Sequence, residues 1–154
     1  MNLNNIHNIY FIGIGGIGMS AIARFFKSQN KNVAGYDKTQ TEITDSLEAL
    51  GISVHFKDKM ASVENSYLNK ENTLVVYTPA IPKDHKQLNY FKSNGFKILK
   101  RSEILGIITV NTFCLAVAGT HGKTTTTSML SWVLEYAKKT QGYVMGGVRE
   151  NVGV

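Results

Sequence analysis

The apolar run Ile9-Tyr10-Phe11-Ile12 passes directly into Gly13-Ile14-Gly15-Gly16-Ile17-Gly18. A short apolar run ending in GxGxxG leaves few folds open. The run has the length of a buried parallel strand. The glycines allow a tight turn and a close approach of backbone to phosphate, and a helix must follow so that its first N–H groups face that anion. The sequence supplies one: Ile17, Ala21 and Phe25 recur at helical spacing, with Ile22 and Phe26 widening the stripe. Val33-Ala34-Gly35-Tyr36 reads as a second strand, and Asp37 ends it nineteen positions after Gly18. This is the βαβ layout of a dinucleotide-type site, with an acid near a ribose or base. GxGxxG alone does not say which nucleotide binds, and its glycines could also serve strand–helix packing only.

The alternation continues. Thr41 or Thr44 can cap a short helix carrying Leu47 and Leu50 and stopped by Gly51. Ile52-Ser53-Val54-His55-Phe56 alternates as a strand, with His55 on the parity of the solvent face. Residues 57–71 are polar, with a weak helix around Ala61 to Leu68. Thr73-Leu74-Val75-Val76-Tyr77 is a buried strand that enters Thr78-Pro79-Ala80-Ile81-Pro82, a loop stiffened by its prolines. Ligands of open parallel sheets sit beyond the carboxyl ends of strands, so this loop is expected beside the glycine loop. Lys86 to Asn94 reads as a helix with Leu88 and Phe91 inward and Gly95 as its stop. Phe96-Lys97-Ile98-Leu99 reads as a fifth strand, at or near an edge. Lys100 to Gly106 gives a polar turn and a short helix, and the first α/β domain, residues 1–106, is expected to end there.

A second glycine loop, Ala118-Gly119-Thr120-His121-Gly122-Lys123-Thr124-Thr125-Thr126-Thr127, follows the β-formers of 112–117. It opens an amphipathic segment reaching about Ala137, which is expected to bury Met129, Leu130, Val133 and Leu134, with Trp132 and Tyr136 also as core. Strand, glycine loop with Lys-Thr, then helix is the layout of a nucleotide-phosphate site. Loop N–H groups converge, the helix start adds partial positive charge and Lys123 a full one. The Thr124 hydroxyl is placed to ligate magnesium. The spacing is short: GxxxxGK[ST] needs glycine at position 117, where Val117 stands, so the loop is the GxHGKT form beginning at Gly119. Tyr143-Val144-Met145 reads as a further strand ended by Gly146-Gly147. Strand, helix and strand cannot cover both faces of a parallel sheet, so residues 107–154 read as an incomplete second domain.

The chain of 154 residues is 43% hydrophobic and 18% charged, a globular composition. Its formal net charge of +6 comes without a basic tract; the densest group, Lys97, Lys100 and Arg101, is short. That argues against a nucleic-acid surface and is compatible with a polyanionic small ligand. The single cysteine, Cys114, excludes an intrachain disulfide or a cysteine metal cluster. Residues 1–5 lack the pattern of a signal peptide and no apolar run reaches a membrane span, so a cytoplasmic protein without membrane contacts is expected.

Two such loops in one chain, GxGGxGM and AGTHGKTTT, form an unusual pair. With Tyr77-Thr78-Pro79-Ala80-Ile81-Pro82 and Arg101-Ser102-Glu103-Ile104-Leu105-Gly106, in that order along nearly the whole chain, they resemble the Mur ligases. Those are the ATP-dependent enzymes that build the peptide stem of bacterial peptidoglycan, and their phosphate loop has the short spacing seen here. The resemblance implies a Rossmann-like UDP-sugar domain at 1–106 and the start of the central ATP-binding domain at 107–154. Gly13, Ile14, Gly15, Gly16, Ile17 and Gly18 would hold the UDP-sugar diphosphate, Asp37 would sit near the uridine, and Thr78, Pro79, Ala80 and Ile81 would line the same pocket. Gly119, Thr120, His121, Gly122, Lys123, Thr124 and Thr125 would bind ATP. Lys123 and Thr124 would be the catalytic pair, Lys123 on the phosphates and Thr124 on Mg2+.

Within the family, GxGGxGM and TPAIP are nearest the members that add L-alanine to UDP-N-acetylmuramate. Members that return murein tripeptide to the same UDP-sugar share the GTHGKT loop and are the alternative. A non-catalytic nucleotide-binding module is another, and an NAD-dependent oxidoreductase would leave Gly122-Lys123-Thr124 without a role. The family's acidic magnesium ligand, adenine pocket and amino-acid domain would lie past Val154. The 154 residues are therefore expected not to catalyse ligation by themselves.

Overall fold

A computed structural model describes residues 5–111 and 115–137. Five parallel strands form one sheet: β1 (Asn8–Ile12), β2 (Asn32–Tyr36), β3 (Ser53–His55), β4 (Thr73–Tyr77) and β5 (Lys97–Lys100), in the order β3-β2-β1-β4-β5. The helices are α1 (Ile17–Ser28), α2 (Glu42–Ala49), α3 (Lys86–Ser93), α4 (Arg101–Asn111) and α5 (Lys123–Tyr136). All five expected strands of the first unit are present, and β5 lies on an edge. Residues 60–62 and 65–68 form single 3-10 turns where the weak periodicity suggested one helix.

Strand alternation divides the core. Ile9 and Phe11 of β1 pack with Met19, Ile22, Ala23 and Phe26 of α1, Leu47 of α2, and Ile104 and Ile108 of α4. Tyr10 and Ile12 face the other way, against Val63, Tyr67, and Leu88 and Phe91 of α3. Both faces of β1 are thus dry, which is why its sequence is apolar throughout rather than alternating. Phe11 is fully buried, and such a side chain contributes roughly 1.5–3 kcal/mol by leaving water.

The inward stripe of α1 differs from the expected one. Met19, Ile22, Ala23 and Phe26 are buried, whereas Ile17 is exposed at the helix start and Phe25 is half-buried. The i, i+3, i+4, i+7 set beginning at Met19 faces the sheet because the glycine turn fixes the angle at which the helix starts. On α2, Leu47 is fully buried and Leu50, just past the helix end, is exposed.

The second unit departs further. Leu115 to Val117 form no strand, and Thr112 to Cys114 lie outside the described residues, as do Tyr143 to Gly147. α5 forms where expected, yet Met129, Trp132, Val133 and Tyr136 of its apolar face are 66%, 71%, 60% and 84% exposed. Leu130 and Leu134 are half-buried. Among the described residues no strand lies beside 115–117 to complete a ladder, and no sheet covers this helix face. Pattern alone therefore forms the helix without its core.

Candidate functional site

β1 is the switch point of the sheet. The chain leaves it for β2 and β3 on one side and later returns to β4 on the other, which opens a crevice at the carboxyl ends of β1 and β4. The glycine loop follows β1 and Thr78–Pro82 follows β4. Gly13 adopts φ +88°, which disfavours any side chain, and a Cβ there would meet Thr78 Cγ2 at 2.6 Å and Ile81 Cδ1 at 3.4 Å. The N–H groups of Gly13 and Ile14 both donate to the Tyr36 carbonyl, at 2.8 and 3.0 Å, which ties the loop to the end of β2. Thr78 N–H donates to the Ile12 carbonyl at 3.3 Å. The loop at 78–82 is therefore packed on the glycine loop, as its place after a β-strand suggested. Pro79 and Ala80 are exposed at its tip.

Asp37 closes the other side. Its Oδ2 accepts the Gly15 N–H at 2.7 Å and its Oδ1 accepts the Thr39 N–H at 3.3 Å. A Cβ on Gly15 would sit 2.9 Å from that carboxylate. Gly16 caps α1 without a side-chain bond, and no acid stands in the first turn. The N–H groups at the start of α1 are consequently without a side-chain cap or a first-turn acid, an arrangement suited to an anion. Gly13 to Gly18, Asp37, Thr78 and Ile81 are brought together as one mouth.

A polar cluster lies behind Asp37. The Tyr10 hydroxyl donates to Gln87 Oε1 at 2.9 Å and accepts from His55 Nε2. The carboxamide nitrogen of Gln87 donates to the carbonyls of Lys57 and Lys59. His55 is thus half-buried and bonded rather than solvated. Its parity faces the second core, where the 3-10 turns and α3 cover the sheet. Asp58 accepts the Lys86 and Gln87 N–H groups at 2.8 and 3.0 Å, and His85 Nδ1 accepts that of Leu88 at 3.3 Å, so the first turn of α3 is capped by two side chains. His85 is 5% exposed and meets the Tyr36 ring edge-on, centroids 4.7 Å apart. Burial holds the His85 and His55 imidazoles below the usual histidine range, against the opposing pull of Asp58. Burial likewise raises the Tyr36 phenol, with Asp58 and Asp37 adding to it.

The second loop has its own geometry. Gly122 is the N-cap of α5 at φ +72°, ψ +3°, a left-handed position that glycine adopts at little cost. Lys123 Nζ donates to the carbonyls of Gly119 and Thr120, at 2.6 and 3.1 Å, which holds the ammonium over the loop. His121 Nδ1 pairs with the Thr120 hydroxyl at 3.2 Å. Thr124 and Thr125 occupy the exposed first turn of the helix. No hydrogen bond among the described residues joins this loop to Gly13–Gly18.

The sequence model of the Mur ligase family, catalytic domain, matches residues 8–112. The chain belongs to the Mur ligase family. Among curated Mur ligases it is 55% identical over 151 residues to the UDP-N-acetylmuramate--L-alanine ligase of Flavobacterium psychrophilum, covering 98% of this chain and 34% of that protein. To the ligase of the same name from Cytophaga hutchinsonii it is 50% identical, covering 98% and 32%. The chain thus spans about a third of the length of these curated relatives. Among solved Mur ligases, the UDP-N-acetylmuramate:L-alanyl-gamma-D-glutamyl-meso-diaminopimelate ligase from Neisseria meningitides superposes with a TM-score of 0.80 at 34% identity, over 97% of this chain and 45% of that one. The UDP-N-acetylmuramate-alanine ligase from Thermotoga maritima gives 0.75 at 33%, over 86% and 30%. Both kinds of Mur ligase share this fold, so the fold does not separate them. No described helix is long and apolar enough to cross a membrane.

Proposed function

We propose that the chain is part of a cytoplasmic ATP-dependent ligase that adds L-alanine to UDP-N-acetylmuramate in peptidoglycan synthesis. One observation carries the choice: 50–55% identity to alanine ligases over 98% of the chain. In this reading residues 1–106 are the UDP-sugar domain and residues 107–154 begin the ATP domain, with α4 running across the boundary to Asn111. Gly13 to Gly18 receive the diphosphate, Asp37 approaches the uridine, and Thr78 to Ile81 form the far wall.

Gly119 to Thr125 are the ATP loop. The residues fit the group: a left-handed Gly122 turns the chain into α5, and the Lys123 ammonium already lies against loop carbonyls. Lys123 would exchange those carbonyls for phosphate oxygens, and the Thr124 hydroxyl would face Mg2+. Mg2+ supplies charge neutralisation while the phosphoryl group moves. The lactyl carboxylate of the muramic acid takes the γ-phosphoryl group as an acyl phosphate. The alanine amine then attacks that carbonyl, giving the amide, ADP and phosphate.

The test is ADP release by the complete protein. It should require both UDP-N-acetylmuramate and L-alanine. A higher kcat/KM with murein tripeptide in place of alanine would move the protein to the recycling ligases, and release independent of the UDP-sugar would remove it from both.

A further inference from the structure

We propose that Arg101 binds the diphosphate at the first glycine loop, and that Gly18 is glycine to make room for it. This rests on reading that loop as a UDP-sugar site. Arg101 is the first residue of α4, directly after β5, so it stands at the same end of the sheet as the loop. Its guanidinium reaches the first turn of α1. A Cβ on Gly18 would lie 2.1 Å from Nη1 and 3.3 Å from Cζ, so the guanidinium, at the end of its flexible side chain, would have to leave this place. The third glycine of GxGxxG commonly serves close helix–strand packing. Here the atoms that need the space belong to a cation at the mouth.

This cation has no internal task. Arg101 is exposed and makes no hydrogen bond or ion pair among the described residues. Glu103, the nearest acid in sequence, turns its Oε2 to the Lys100 N–H at 2.6 Å. Five donors in a rigid fork are therefore left for a ligand. The position also works against the helix that carries it, because a cation in the first turn opposes the helix dipole. The start of α1, without acid or side-chain cap, adds partial positive charge of its own. A guanidinium laid against a second helix start is unfavourable for folding and favourable for an anion.

Asp37 supplies the opposite pole. Its carboxylate already occupies the Gly15 N–H, so the β2 side of the loop repels phosphate. The α4 side, with Arg101, attracts it. The loop is polarised across its width: diphosphate toward Arg101, and the hydroxyl donors of the ribose toward Asp37. An Arg fork matches a phosphate bidentately, which a lysine does not.

The experiment is titration of the chain with UDP, for the parent, Arg101→Met, Arg101→Lys and Gly18→Ala, at low and high salt. Thermal melts establish that the variants are folded, as expected for an exposed side chain. Arg101→Met should weaken UDP about tenfold, the effect of one charge-assisted contact. Arg101→Lys should recover part of the loss, and the ratio of parent to Met variant should shrink as salt rises. Gly18→Ala, by displacing the guanidinium, should resemble Arg101→Met. UDP affinity unchanged in Arg101→Met, or a loss that neither lysine nor salt alters, would overturn the role of Arg101 while leaving the site. A parent chain that binds no UDP would overturn the site and this role together.

Discussion

Asp37 carries two structural bonds and one proposed ligand contact, and a substitution separates them. Asp37→Ala should raise the UDP-sugar dissociation constant while leaving the sheet intact, because both bonds are to loop N–H groups that water can reach. An unchanged constant by calorimetry would return Asp37 to a strand end. His85 and His55 make a pH prediction. Both are held below the ordinary value of 6.5, so below that pH the unfolded chain takes up protons that the folded chain resists. Stability should therefore be constant above about pH 6.5 and fall as the pH drops beneath it. His85→Asn keeps a capping side chain and removes one titrating group, so its melting temperature should depend less on pH between 7 and 5. Equal slopes for parent and variant would contradict this. Gly13 to Gly18 and Asp37 were legible in the sequence, because a local turn and a strand end determine them. His55 departs from the solvent-face expectation because its parity faces a core covered by residues 57–68 and α3, and the weak periodicity of 57–68 hides that cover in the sequence. Arg101 belongs to the segment Arg101 to Gly106, but its approach to Gly18 arises from packing α4 beside α1, which no spacing reveals.

At the scale of elements, the pairing of β1 with β2 leaves no room for a side chain at Gly35. Gly35 lies opposite Phe11, and a Cβ there would sit 2.6 Å from the Phe11 carbonyl oxygen and 2.9 Å from Ile14 Cδ1. Backbone cannot move aside as a side chain can. Gly35→Ala should cost about 1–3 kcal/mol in urea unfolding, in the range of overpacked cores. A loss below a few tenths would mean that the ladder relaxes freely. The five strands were legible because each is a compact apolar run between turn signals. The strand expected at 112–117 was not formed over Leu115 to Val117, although its composition is as good. A parallel strand exists only through its neighbours, and composition does not provide them. α5 needs no neighbour for its hydrogen bonds, so it forms with its Trp132 and Tyr136 rings stacked on the exposed face.

For the whole molecule, the proposed function assigns the two glycine loops to separate nucleotide-binding units, and so implies divided labour. In the complete protein, Lys123→Ala should abolish turnover and leave the UDP-sugar dissociation constant nearly unchanged, since no described hydrogen bond links the loops. A fall in UDP-sugar binding would show that the units act as one site. The choice between nucleotides is the central question, because GxGxxG serves dinucleotides as readily as UDP-sugars. Titrating the chain in parallel with UDP-N-acetylmuramate and with NADH answers it. Saturable binding of the UDP-sugar with no response to NADH is the expected result. Tight NADH binding with no response to UDP-N-acetylmuramate would contradict it.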